Sequence, residues 1–546
     1  MDPEDDGPAP SARVAILRRR STRRAILAAA ASVAAAGTAA AVVGVAAQGN
    51  DKRAVAPGVV SDSVPPQGPA PTSAVLAAKQ VSDPLKRAAH LLRRAGFGGS
   101  MAEVEAFARL SRDEAADRLL NFAAADNSAL EARLRAANFE LNDYGNGLLS
   151  DMQRWWFTRM VYSARPLEER MTFTWHGLLT SQLSKIGRNR AKLMVKQNEL
   201  FRTMALPRYG ALLQAISKDP AMLVYLDNVE SVKDHPNENY ARELMELFSM
   251  GVGSYTEEDV RESARAFTGW RITQPVRGRP TGTLTAVEQQ EQLRRTFAAW
   301  QPEFQFVARQ HDAGRKTFLG KTGAWDGGDI VDIIMEQEAT ARFVTTRLFE
   351  EFAYPGPSAA VIDRLVNVWK STGADIRAVL RAILVSDEFS SEQAYRSKVR
   401  SPVEFIVGLV RGLELESTFT ALGANGGRGA YSPYRAMDQV LFEPPSVAGW
   451  PGGPAWISSS TFFARANFLD QLFWPRNGRP AEIAALRGLT SAEDLVDGAA
   501  ARLVDGDITA AGREAIAAHA STVRDPAERA ATVAYLVAAS PEYQLI

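Results

Sequence analysis

The sequence predicts a mainly α-helical protein: a large multi-helical body carrying a small β-hairpin or sheet insertion around residues 270–320. Three observations carry that prediction. From about Asp83 onward, apolar residues recur at helical spacing, and many such runs follow a Ser, Thr or Asp able to cap a helix. Strand-like alternation is confined to Trp270–Thr273, Phe304–Val307 and Lys316–Leu319. Finally, 46% of the 546 residues are hydrophobic and none is cysteine, so core packing and not disulfides must hold the body together.

In chain order, residues 1–24 end in a basic cluster, Arg18, Arg19, Arg20, Arg23 and Arg24. Ala25–Ala47 then carries no charge and closes on Val45 and Ala47 in an arrangement a signal peptidase could cut. Residues 1–47 therefore read as a twin-arginine-like signal peptide or, uncleaved, as a membrane anchor. Residues 48–82, rich in Pro, Gly, Ser and Ala, read as a flexible linker, and 83–546 as one large helical domain.

Within that domain a helix is expected over Leu85–Ala95, then two capped by boxes at Ser100/Glu103 and Ser111/Glu114. Further helices are expected at 150–164, Pro166–Ser184, 189–217, 220–227, His235–Gly251 and from Thr256/Asp259 to about Phe267. The polar segment 276–298 reads as a loop with one helix. Helices resume at 329–337, 339–353, 358–371, 374–388 and 402–414, the last behind a Ser401/Glu404 box, and the stretch 478–546 is Ala-rich and helical. Residues 421–430 are Gly-rich and loop-like; Leu441–Asn467 is broken by prolines and glycines and carries Trp450 and Trp456. Such a rigid aromatic loop is either a pocket wall or a plug filling core.

Zero net charge gives no reason to expect nucleic acid as a partner, and leaves the membrane to the N-terminal segment alone. Phosphate-loop, HExxH, GxSxG and dinucleotide fingerprints are absent from the sequence. Any metal would need His, Asp or Glu ligands, and there are five histidines. His176 lies on a largely apolar helix with only Glu169 and Thr180 in its sector. It is either a core histidine tied to a polar partner, or a ligand or general base. His311-Asp312 is placed at the turn of the proposed hairpin, near Lys316. The helix His235–Gly251 presents two polar sectors: Glu238, Arg242 and Glu246 as an ion-pair ladder, and Glu243 with Asn239 as the candidate buried polar site.

Several runs resemble the successive signature blocks of the bacterial domain-of-unknown-function 1800 family. They are HLLRRAGFG (90–98), FTWHGLLTS (173–181), PNENYARELMELFSMGVGSYTEEDV (236–260), ARAFTGW (264–270), HDAGRKTFLG (311–320), SPVEF (401–405) and PPSVAGWPGGPAWI (444–457). The resemblance implies an exported protein, often encoded beside an exported protein related to alkaline phosphatases and sulfatases. It implies no catalytic residue, but its blocks coincide with His176, Asn237–Glu246, His311, Asp312, Lys316 and Trp450.

Two functions are therefore expected. One is an extracytoplasmic hydrolase, with or without a divalent metal. In it Glu243 and His176 act as base, acid or metal ligand, His311 completes the ligand set, Arg242 holds an anion, and Asn237, Asn239, Asp312, Lys316 and Trp450 line the pocket. The other is a non-catalytic envelope scaffold that binds the alkaline-phosphatase/sulfatase-like protein or a surface polysaccharide through the Trp450 loop.

Overall fold

The computed structural model describes residues 79–139, 141, 148–187, 190–275, 285–415, 433–475 and 479–546. The predicted export signal, nearly all of the predicted linker and the Gly-rich run at 421–430 lie outside the described residues. The four that remain of the linker, 79–82, are already seated: the Val81 amide donates to the Ser390 carbonyl at 3.0 Å and its side chain is buried.

The described residues form twenty-three α-helices and two small antiparallel sheets. The first helices are α1 (Pro84–Gly96), α2 (Met101–Ala108), α3 (Arg112–Leu120) and α4 (Ser128–Ala137). Asp83 caps α1, and both predicted capping boxes close around the first turns of α2 and α3. Next come α5 (Leu148–Tyr162), α6 (Pro166–Leu178), α7 (Leu183–Ile186), α8 (Ala191–Thr203), α9 (Tyr209–Ser217) and α10 (Pro220–Tyr225). Two expected helices are split here. The run from Pro166 stops at Leu178 because the next turn bonds elsewhere: the Thr180 hydroxyl donates to the Val447 carbonyl, and the Leu183 amide to that of Phe442. The 189–217 run breaks between α8 and α9 at Pro207, which has no amide proton to continue the ladder and restrains the residue before it.

The chain continues through α11 (Asn239–Glu246), α12 (Glu257–Ala266), β1 (Trp270–Ile272), α13 (Ala286–Ala299), β2 (Phe304–Phe306), β3 (Lys316–Phe318) and β4 (Lys321–Gly323). β1 pairs with β2, Arg271 opposite Gln305, and β3 with β4, Thr317 opposite Thr322. The three predicted strands are present; β4 was not foreseen, since KTG has no apolar alternation. It exists because Leu319 and Gly320 both adopt positive φ, 46° and 77°, the two-residue turn that matches strand twist.

The remaining helices are α14 (Gly327–Met335), α15 (Glu338–Phe352), α16 (Ala359–Thr372), α17 (Ile376–Leu384), α18 (Pro402–Gly412), α19 (Pro433–Ala436), α20 (Ser459–Phe473), α21 (Ala492–Val504), α22 (Ala510–Ser521) and α23 (Pro526–Ala539). α15, α16 and α17 pack together with α3 on α17; α20 to α23 form a second group; α6 packs against α1, α5 and α8. One contiguous apolar core runs through all of them, from Ala88 to Tyr543. Between α17 and α18 a strap of turns joins both ends of the described chain, with Gln80 bridged to Ser391 and Leu545 to Val399. Among the described residues no helix is long and apolar enough to cross a membrane.

Candidate functional site

Helix α6 carries the buried chemistry. Pro166 opens it at a position where its missing amide proton costs nothing, and nine of its thirteen residues are buried. Three of those are ionisable. Glu169 accepts from Arg202 Nε at 2.7 Å and Nη2 at 3.0 Å, and from Trp156 Nε1 at 3.2 Å. Arg170 reaches the other way, donating to Glu404 at 2.6 Å and Glu351 at 2.7 Å. Burial pushes the Glu404 carboxyl up, but Arg170 and Lys398 outweigh it and hold its pKa at about 2.

His176, 1% exposed, is enclosed by rings: Trp156 at 5.3 Å, Trp450 at 5.4 Å and Phe442 at 5.6 Å between centroids. Its Nε2 has no hydrogen-bond partner, and burial pushes its pKa down to about 3, so the ring is neutral. Trp450 stacks on Phe173 at 6.1 Å, and its Nε1 is also buried without a partner. The two meet because the 444–457 loop is seated on the end of α6. Gly449 has φ 85°, and a Cβ there would lie 2.3 Å from the Gly177 carbonyl oxygen, so only glycine allows the approach. Trp456, 5% exposed, fills core, as a plug would.

Helix α11 is eight residues long, shorter than the expected His235–Gly251. His235 and Pro236 precede it. Asn237 supplies the start, its Oδ1 accepting the Asn239 amide at 2.9 Å, and Gly251 at φ 78° supplies the stop, its amide donating to Met245. The role of anion partner expected for Arg242 is filled from within the chain: it donates to both Glu257 oxygens at 2.8 Å and to Glu238 at 3.3 Å. Glu246 accepts from the Tyr255 hydroxyl at 2.9 Å, and Asn239 donates to Asp227 at 3.3 Å. Glu243 is half-buried, and burial together with Glu246 raises its pKa.

His311 does not sit at a hairpin turn; it lies in the connection between β2 and β3, which belong to different sheets. Its Nδ1 is 3.0 Å from the Thr268 carbonyl, which can only accept, so Nδ1 carries the proton. Asp312 accepts from Arg265 Nε at 2.7 Å, and that bond lowers its pKa. Lys316, 1% exposed, donates to the carbonyls of Asp312 at 2.5 Å and Gly314 at 3.0 Å; burial lowers its pKa. This cluster pins the β3 segment onto α12.

The structure thus joins His176 with Trp450, joins His311, Asp312 and Lys316 in a second place, and leaves Glu243, Arg242, Asn237 and Asn239 in a third. His176, Glu243 and His311 do not form the expected metal site: among the described residues no group of three or more His, Asp or Glu could hold a metal ion. The cause is local, since aromatic rings wall His176 while a backbone carbonyl engages His311. Sequence reasoning missed the Glu169–Arg202 and Arg170–Glu404 pairs. Their signal was present as three consecutive charges, Glu168, Glu169 and Arg170, interrupting an apolar helix.

The fold and its joined segments define a mainly α protein in which a Pro/Gly loop is clamped onto one buried, aromatic-walled helix. A model of the family described as protein of unknown function (DUF1800) matches residues 90–545, and the chain belongs to that family. None of the curated proteins and none of the solved structures matches the chain.

Proposed function

We propose that the protein is an extracytoplasmic, non-catalytic scaffold that docks a second exported protein on the loop surface above α6. One observation carries this reading: residues 444–460, PPSVAGWPGGPAWISSS, hold no charge in a chain that is 23% charged, and their outer side is open. Pro445, Ala448, Pro451, Pro454 and Ala455 are exposed, and Phe463 beside them on α20 is 57% exposed. An uncharged, pre-organised ledge with one protruding ring suits a protein contact, where loop ordering would otherwise oppose binding. It suits a sugar polymer less, because Trp450 stacks on Phe173 and Trp456 is buried. The extracytoplasmic location rests on the twin-arginine-like N-terminus, and the candidate partner is the alkaline-phosphatase/sulfatase-like protein that the family resemblance implies.

The test is titration calorimetry of the purified pair. Binding is expected to weaken at least about tenfold in Phe463→Glu, a loss of roughly 1.4 kcal/mol, with Tm unchanged. Absence of binding, or equal binding by the variant, sinks the proposal. A hydrolytic reading is favoured by one observation, the unpartnered Nε2 of His176 beneath the same loop. Turnover of ester or phosphoester substrates that disappears in His176→Phe would support it over the scaffold.

A further inference from the structure

Where α1, α18 and α21 meet, a cavity of about 20 Å³ is lined by Arg93, Arg400, Arg502, Gly98, Gly408 and Tyr543. The charge around it does not balance. Arg93 is paired, giving both terminal nitrogens to Asp505 at 2.6 Å, and Asp505 also accepts from Tyr395. Glu404 is committed to Arg170. Arg400 is 2% exposed, and its Nε donates to the Leu545 carbonyl at 3.1 Å. Arg502 donates from Nη1 to the Gly498 carbonyl at 2.9 Å, and its Nε is buried without a partner. Among the described residues no carboxylate pairs with either.

Two neighbours add to the excess. Arg94 donates to the Ala394 carbonyl and the Ser397 hydroxyl, and Arg465 to Gln544 and the Arg400 carbonyl, all neutral oxygens. Burial lowers Arg94 to about 9 and Arg400 to about 10, and the pull of Glu404, already bonded to Arg170, does not offset it. Uncompensated buried charge is strongly unfavourable, and an anion is the direct remedy.

The wall is shaped to leave the Arg400 fork in place. A Cβ on Gly408 would lie 2.9 Å from Arg400 Nη1 and 3.1 Å from the Phe97 carbonyl oxygen, so glycine there makes room for the guanidinium. The Tyr543 ring supports it from one face at 4.3 Å. We propose that this cavity is a binding site for one small inorganic anion of the halide class, held between Arg400 and Arg502. The volume sets the class: a cavity needs roughly 10–15 Å³ to hold a water, so this one takes a body near that size and not a tetrahedral oxyanion.

The experiment uses the full chain in sodium gluconate, titrated with sodium chloride at constant ionic strength while Tm is followed. A saturable rise of several degrees is expected, because a ligand that binds only the folded state stabilises it. The rise is expected to vanish in Arg502→Gln, whose half-exposed side chain the core does not require, and in Arg400→Gln if that variant folds. Bromide, located in crystals by anomalous scattering, is expected in the cavity. Equal Tm in the two salts, an undiminished chloride response in Arg502→Gln, or water where bromide is expected would each overturn the assignment.

Discussion

Helices α6 and α11 both carry signature residues and both bring charge to the molecule, yet they use it oppositely. On α11 Glu243 is half-buried, but Arg242 lies at the surface, where it links Glu238 and Glu257, and exposed pairs of this kind contribute about 0–1 kcal/mol each. On α6, Glu169 and Arg170 point inward to Arg202, Glu404 and Glu351. Such groups are tolerated only because each has a partner at hydrogen-bond distance. Each helix carries three such charges, Glu168, Glu169 and Arg170 on α6 and Arg242, Glu243 and Glu246 on α11, so their number does not separate the two; what does is that on α6 the rest of the helix is largely apolar and buried.

The largest test of this contrast is Glu169→Gln, which removes the buried carboxylate from Arg202 and leaves it only the part-exposed Glu199, 2.9 Å away. A loss of about 3–5 kcal/mol is expected in urea denaturation. A loss below about 1 kcal/mol would erase the distinction between the helices. The next is the pH dependence of stability. His176 has a folded pKa of about 3 against an ordinary 6.5, so below pH 6.5 the unfolded chain takes up protons that the folded chain refuses. Stability is then lost as pH falls from 6.5 toward 3, by about 2 kcal/mol between pH 6.5 and 5. His176→Phe, which fills the same aromatic enclosure, is expected to flatten this slope; His90, also pushed down by burial, adds to it, and Asp219, pushed up to about 6 by burial, opposes it. An unchanged slope in the variant would mean that the ring is hydrated. The smallest effect is expected for Arg242→Ala, under about 1 kcal/mol and weaker still in high salt. A larger loss would show that α11 contributes more than a solvated ladder.

What the sequence made legible follows the range of the interactions involved. The capping boxes at Ser100, Ser111, Thr256 and Ser401 are all present in the structure, because each is closed within four residues. The strands at Trp270, Phe304 and Lys316 were legible by alternation, but their pairing was not, and with it the position of His311 relative to a turn. The end of α6 was hidden because Phe442, far along the chain, takes the Leu183 amide, and Val447 accepts the Thr180 hydroxyl beside it. His176 and Trp450 were each singled out by residue type, yet only tertiary structure could show that they touch. That His176, Glu243 and His311 stand in three separate places was hidden for the same reason: three suitable side chains say nothing about whether the fold turns them toward one point.

The strap between α17 and α18 has a consequence for the order of folding. It holds the first described residues and the last, through hydrogen bonds such as Gln80 to Asp387 and Arg400 to Leu545 that span 307 and 145 residues. Loops of that length are closed only at an entropic cost that local helix formation does not help to meet. The strap can therefore be completed only once the helical body has assembled. It is expected to be the slowest segment to gain hydrogen-exchange protection during refolding and the earliest to lose it, with Lys398 and Arg400 released from the buried charge network at the same moment.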